Sequence, residues 1–210
     1  MGQHISNLAE NFLARLNAAA ASAPAAPAFR PDPGSPPPWE KIPDDYKSAS
    51  REGMEWAKAA LQWDPKKNTV LAIWGPVGQG KSSAAAVVAI ESGRYVEWAN
   101  GYKARDLYNA YSRGEYSKEW MQTPPWMRLF RAPLLVLDDI DKGTFTAAWL
   151  AALYGLIEHR VSNKLPFIWT ANYGPGELAR KFRGSGIDGD PETADAIERR
   201  LLQHAFKVHP

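Results

Sequence analysis

The residues of this chain best suited to chemistry lie in one run, "IWGPVGQGKSS", from Ile73 to Ser83. Gly75 is followed by four residues and then by Gly80, Lys81 and Ser82, the spacing of a loop that wraps phosphate. Glycines let successive backbone N–H groups turn toward one anion, and a helix opening at Lys81 adds the positive end of its dipole. Lys81 sets a point charge against the β and γ phosphates, and Ser82 offers a hydroxyl to Mg2+. Gly75, Pro76, Val77, Gly78, Gln79, Gly80, Lys81, Ser82 and Ser83 therefore read as the cradle of a nucleoside triphosphate. An apolar strand before the loop and a helical pattern after it separate such a cradle from a chance glycine turn.

A phosphate loop that hydrolyses needs a carboxylate on a neighbouring strand to hold the Mg2+ shell, and "LLVLDD" ends its apolar run on Asp138. Asp139 follows at once, where a carboxylate can orient and deprotonate an attacking water. Consecutive acids also solvate strand ends, so both readings of Asp139 stand at this level, and Asp141 reads as a solvated loop acid. Guanine loses support as the base. "NKLP" begins at Asn163 like a guanine-reading loop but ends on Pro166, which has no carboxylate for the base. A small-molecule kinase would share the loop and add an arginine-rich lid, for which "ARKFRG", Ala179 to Gly184, is the candidate.

The elements that must position these groups alternate in period, as in an α/β fold with a mostly parallel central sheet flanked by helices. "DDYKSASREGMEWAKAALQW" reads as a helix, "TVLAIWG" as a buried strand and "KSSAAAVVAIES" as a helix stopped at Gly93. "RYVEWA" reads as a second strand, followed by a helical stretch from about Lys103 to Trp120 and the strand "LLVLDD". A helix from Ala147 to Arg160, the strand "PFIWT", a short helix from Pro175 and a last helix near Thr193 to Gln203 complete the pattern. Residues 44–210 thus form the expected catalytic domain. Before it, Ile5, Leu8, Phe12, Leu13 and Leu16 recur at helical spacing within residues 1–22, an amphipathic segment. Residues 23–43 are rich in alanine and proline, a semi-rigid spacer. The stripe then either docks a partner or packs on the chain's own domain.

Composition bounds the setting. The 210 residues are 45% hydrophobic and 23% charged, enough for one globular domain with a short appendage. There is no cysteine, and the four histidines show no zinc-ligand spacing, which fits a reducing, cytoplasmic compartment. No apolar run approaches the roughly 20 residues of a membrane span, and the N-terminus lacks a signal-peptide pattern. "MGQHIS" matches a myristoylation pattern, but no polybasic second anchor follows. A net charge of +2 means that any nucleic-acid contact needs a local patch. The candidates are Lys103, Arg105, Arg113, Lys118, Arg128 and Arg131, interleaved with Tyr102, Tyr108, Tyr111, Tyr116, Trp120 and Trp126. Cations for phosphates and rings for bases are what a single strand requires. Leu107, Tyr108 and Tyr111 read rather as core, as do Trp74, Trp149 and Trp169, whereas Trp39 in the spacer reads as an anchor.

Taken in order, "GPVGQGKSS", "LLVLDDID", "LIEHR", "PFIWTAN" and "AIERRL" resemble the helicase-loader and IstB-like branch of the AAA+ ATPases, the group that includes the bacterial loader DnaC. The resemblance implies a P-loop AAA+ ATPase domain acting with ATP and Mg2+ in a homo-oligomer. Its partners would be a replicative helicase and single-stranded DNA, or a transposase and target DNA. A nucleotide-switched adaptor with little hydrolysis is the reading outside the enzymes. By the same resemblance Asn172 takes the polar sensor position at the end of its strand. Arg200 would reach the γ-phosphate of a neighbouring subunit, with Arg199 as alternative and a salt bridge to a nearby acid as the plainer role. Val77 and Gln79 depart from the proline and threonine more usual in that loop. Residues 1–43 are too few for the larger partner-binding domain of many relatives.

Overall fold

A computed structural model describes residues 41–49, 55–115, 124–183 and 191–209. The amphipathic segment 1–22, most of the spacer with Trp39, and Tyr116, Lys118 and Trp120 lie outside the described residues. In chain order the elements are α1 (Asp44–Lys47), α2 (Glu55–Ala60), β1 (Val70–Trp74), α3 (Lys81–Glu91), β2 (Val96–Asn100), α4 (Gly101–Arg113), α5 (Pro125–Arg131) and β3 (Leu134–Asp138). They continue with α6 (Ala147–Ser162), β4 (Phe167–Ala171), α7 (Pro175–Phe182), α8 (Pro191–Leu202) and β5 (Ala205–Val208).

The strands form one sheet in the order β2-β3-β4-β1-β5, and every pairing is parallel. A parallel sheet is covered on both faces, so its strands are apolar throughout rather than alternating. Val70, Ala72, Leu135, Leu137, Phe167 and Trp169 point into the layer built by α4 to α8. Leu71, Ile73, Leu134, Val136 and Ile168 point to the opposite layer, where α2 and α3 pack. The phosphate-loop helix α3 thus lies across the sheet from α4 to α8, and the carboxyl ends of β1, β3 and β4 meet at one edge. Open α/β sheets bind ligands at such an edge. Among the described residues no helix is long and apolar enough to cross a membrane.

Several boundaries differ from the sequence reading. The first helical pattern is two short helices, and Ser48 caps the first of them. The helix expected to run to Trp120 ends at Arg113, because Gly114 takes the left-handed conformation (φ 70°) that closes a helix. Helix α5 was not foreseen; Pro125 at its first position is preset for a helix start and needs no hydrogen-bond partner. "AFKV" is an edge strand. Ile42, within the segment read as spacer, is 1% exposed, and Lys41 pairs with the buried Glu97 of β2, so the chain is fixed to the domain from there onward.

Arg160 is the largest charged group in the core and is fully buried. Its guanidinium donates to the carbonyls of Leu129 (2.8 Å), Phe130 (3.3 Å), Ala132 (3.0 Å) and Pro166 (2.6 Å). The first three are carbonyls at the end of α5, which lack helical partners. Burial pulls its pKa down to about 9, which leaves it cationic at neutral pH. Arg160→Met should strand those carbonyls and destabilise the domain by about 3–5 kcal/mol, of the order seen when a buried ionic partner is removed. Denaturant unfolding measures it; a loss below 1 kcal/mol would show that water replaces the guanidinium.

Candidate functional site

The site begins where β1 ends. Gly78 (φ 82°) and Gly80 (φ 78°) lie in the left-handed region, the backbone that turns successive N–H groups to one side. Gly80 is also the N-cap of α3, so its helix dipole points into the same space. Residues 76–79 are solvent-exposed, with Val77 at 77%, so the loop is open on its outer side. Lys81 turns inward instead and is 5% exposed.

Two strand ends hold Lys81 there. Its ammonium donates to the Pro76 carbonyl at 2.8 Å and to Asn172 Oδ1, just beyond β4, at 3.0 Å. Asn172 donates its amide to Asp141 Oδ2 at 3.1 Å, and its backbone N–H to Asp141 Oδ1 at 3.3 Å. A carboxylate only accepts and an ammonium only donates, so Asp141 fixes which end of the Asn172 amide faces Lys81. This corrects the reading of Asp141 as a solvated loop acid: it is fully buried and orients Asn172. Burial draws the Lys81 pKa below its usual value, while Asp139, Asp141 and Asp138 pull it back up.

Ser82 and Asp138 are brought together as expected: the hydroxyl donates to Asp138 Oδ1 at 2.8 Å. Thr170 donates to the same oxygen at 2.6 Å and accepts from the Asp139 N–H at 2.8 Å. Sequence reasoning missed Thr170. Its signal was a hydroxyl in the apolar strand "FIWT", and the β3–β4 register, with Leu137 beside Trp169, places it one step on, next to Asp138. Burial raises the Asp138 pKa, and the Thr170 and Ser82 hydrogen bonds oppose the rise. Burial likewise raises that of Asp139, with Asp138 and Asp141 adding to it.

These oxygens suit Mg2+, which is held by one or two protein ligands together with substrate phosphates. Among the described residues no group of three or more His, Cys, Asp or Glu is arranged to hold a metal. Ser82 and Asp138 would hold the ion, and bound there it would neutralise charge on the β and γ phosphates.

The other candidates spread along neighbouring helices. On α4, Tyr102 is 50% exposed and Lys103 is exposed, while Arg105 lies over the Tyr102 ring and 3.7 Å from Asp106. Arg113 pairs with Glu115 at 3.1 Å. Leu107, Tyr108 and Tyr111 pack against the core, and Trp126 is fully buried within it, so that ring offers no face to a base. Trp149 and Trp169 are buried, and the half-buried Trp74 stacks on Trp169. Arg200 pairs with Glu158 of α6 and donates to Gln203, while Arg199 is exposed.

No family model matches the chain. It is 27% identical over 151 residues to a protein described as ATP-binding, from an insertion sequence of Mycobacterium tuberculosis. That match covers 71% of this chain and 56% of the relative, so the chain spans little more than half of the relative's length. The fold is similar to the DnaC helicase loader at a TM-score of 0.55 and 14% identity, over 82% of this chain and 97% of that one. It is similar to the replication initiator DnaA bound to AMPPCP and single-stranded DNA at 0.54 and 17%, over 80% of this chain and 50% of that one. The chain has the fold of these two proteins, a parallel five-stranded sheet flanked by helices with a phosphate loop after β1.

Proposed function

We propose that the chain is a Mg-ATP-dependent ATPase that loads a replicative helicase onto single-stranded DNA. The observation that carries the ATPase is the convergence of three strand ends. Lys81 reaches Asn172, Ser82 reaches Asp138, and Asp139 follows on the same turn. The phosphate loop binds the triphosphate, Lys81 faces its β and γ phosphates, and Asn172, held by Asp141, orients the γ end. Asp139 takes the proton of the attacking water. The loader assignment is supported by the likeness in fold to DnaC and to DnaA.

Subunits assemble through the bound ATP. Arg200 serves the neighbouring site on release from Glu158, or Arg199 serves it directly. Tyr102, Lys103, Arg105 and Arg113 line the path of the strand, with Lys118 beyond the described residues. The segment 1–22 docks the helicase through its apolar stripe, the part of the spacer before Lys41 holds it away from the domain, and hydrolysis releases both.

The relative in an insertion sequence favours a second reading, an IstB-like transposition helper that selects target DNA. Capture by the full chain separates the two. With Mg-ATP, it should retain a replicative helicase and not a transposase. Deleting Met1–Ser22 should abolish capture with melting temperature and ATP binding unchanged. Capture of the transposase alone would establish the second reading, and a steep fall in melting temperature on deletion would place the stripe on the domain.

A further inference from the structure

We propose that Gly101, the first residue of α4, is a positioning residue for Asp139, because the turn that aims this carboxylate rests where a side chain would be. The proposal rests on the reading of Asp139 as the base. Gly101 follows β2 directly and is buried. A Cβ built on it would lie 2.8 Å from the carbonyl oxygen of Asp139, 2.8 Å from that of Lys142 and 3.6 Å from the Ile140 Cα. All three are backbone atoms, so no change of rotamer relieves the contact.

The turn so approached sets the direction of the Asp139 side chain. Asp139 has φ 48°, a left-handed backbone uncommon for residues with a side chain but one that aspartate tolerates, and its surroundings fix it there. Its N–H is held by Thr170 Oγ1. Its carbonyl accepts from the Lys142 N–H at 3.0 Å, and the Ile140 N–H donates to the Thr170 carbonyl at 3.0 Å. Pushing the Asp139 carbonyl away rotates the 139–140 peptide against both bonds and turns the Cα–Cβ direction with it. Tyr102 covers the far end of the same loop, its ring within 3.4 Å of where a Cβ on Gly143 would lie. The first turn of α4 thus braces residues 139–143 from beneath, on the side away from β4.

The test is a double-mutant cycle on the full chain, read by single-turnover hydrolysis of Mg-ATP and by affinity for a fluorescent ATP analogue. Gly101→Ala should slow hydrolysis by about 10–100-fold, the cost of an ångström-scale misplacement, with ATP affinity changed less than about threefold. In an Asp139→Asn background it should slow the residual rate by less than about twofold, because there is no base left to misplace. Tyr102→Ala, at a half-exposed position, should show a smaller loss, about threefold, that also vanishes in that background. Wild-type hydrolysis by Gly101→Ala, equal losses of affinity and rate, or losses that multiply with Asp139→Asn would each overturn the proposal. Should Gly101→Ala not fold, Tyr102→Ala decides alone, and wild-type hydrolysis there overturns it. A fast Asp139→Asn enzyme removes the base assignment and this proposal with it; a slow one beside a fast Gly101→Ala removes this proposal only.

Discussion

Lys81→Ala should lower the affinity for Mg-ATP by about 100-fold or more, close to 3 kcal/mol, as expected when a charge-assisted contact to phosphate is lost. The side chain is buried and already aimed by the Pro76 carbonyl and Asn172, so little ordering is needed when the nucleotide arrives. It is also a cation that opposes Asp138, Asp139 and Asp141. Without it, the triphosphate would meet three carboxylates with the loop's N–H groups, the metal ion and the charge of Lys142 left to offset them. Equilibrium binding of a fluorescent ATP analogue measures the effect. Wild-type affinity in the variant would mean that the loop holds phosphate without its lysine, and the assignment of Lys81 would fail.

Asp139→Asn should do something different: keep ATP bound and slow its hydrolysis by about 100-fold, within the range that general-base catalysis contributes. Asparagine tolerates the left-handed backbone as well as aspartate does, so the turn should keep its shape. The substitution also removes one negative charge from beside the γ-phosphate position, so affinity should hold or rise. What is lost is the proton acceptor. Binding and single-turnover rates measured on one preparation separate the two effects. Unchanged hydrolysis would reduce Asp139 to an acid that solvates a strand end.

The parts of this site legible in the sequence were those where residue type and spacing determine geometry by themselves. The glycine-lysine-serine spacing requires a phosphate nest, and the apolar run before Asp138 requires a buried strand that ends on a carboxylate. Asp141 was misread because its burial depends on an amide from another strand, 31 residues away in sequence. Thr170 was missed for a related reason, since only strand order places its hydroxyl beside Asp138. Gly101 carries no sequence signal, because its φ is ordinary and its function lies in the atoms packed against it. The end of α4 shows the reverse case. Gly114 lies within a stretch whose aromatic and basic spacing continues on either side of it, and its left-handed backbone ends the helix there.

The measurement closest to the central claim is phosphate release from Mg-ATP by the unmodified full chain with single-stranded DNA present. The arrangement of Lys81, Ser82, Asp138 and Asp139 predicts saturable turnover that depends on Mg2+ and is lost in Lys81→Ala. Tight, saturable ATP binding with no phosphate released over hours would contradict it, and would make the protein a nucleotide-switched adaptor rather than an ATPase.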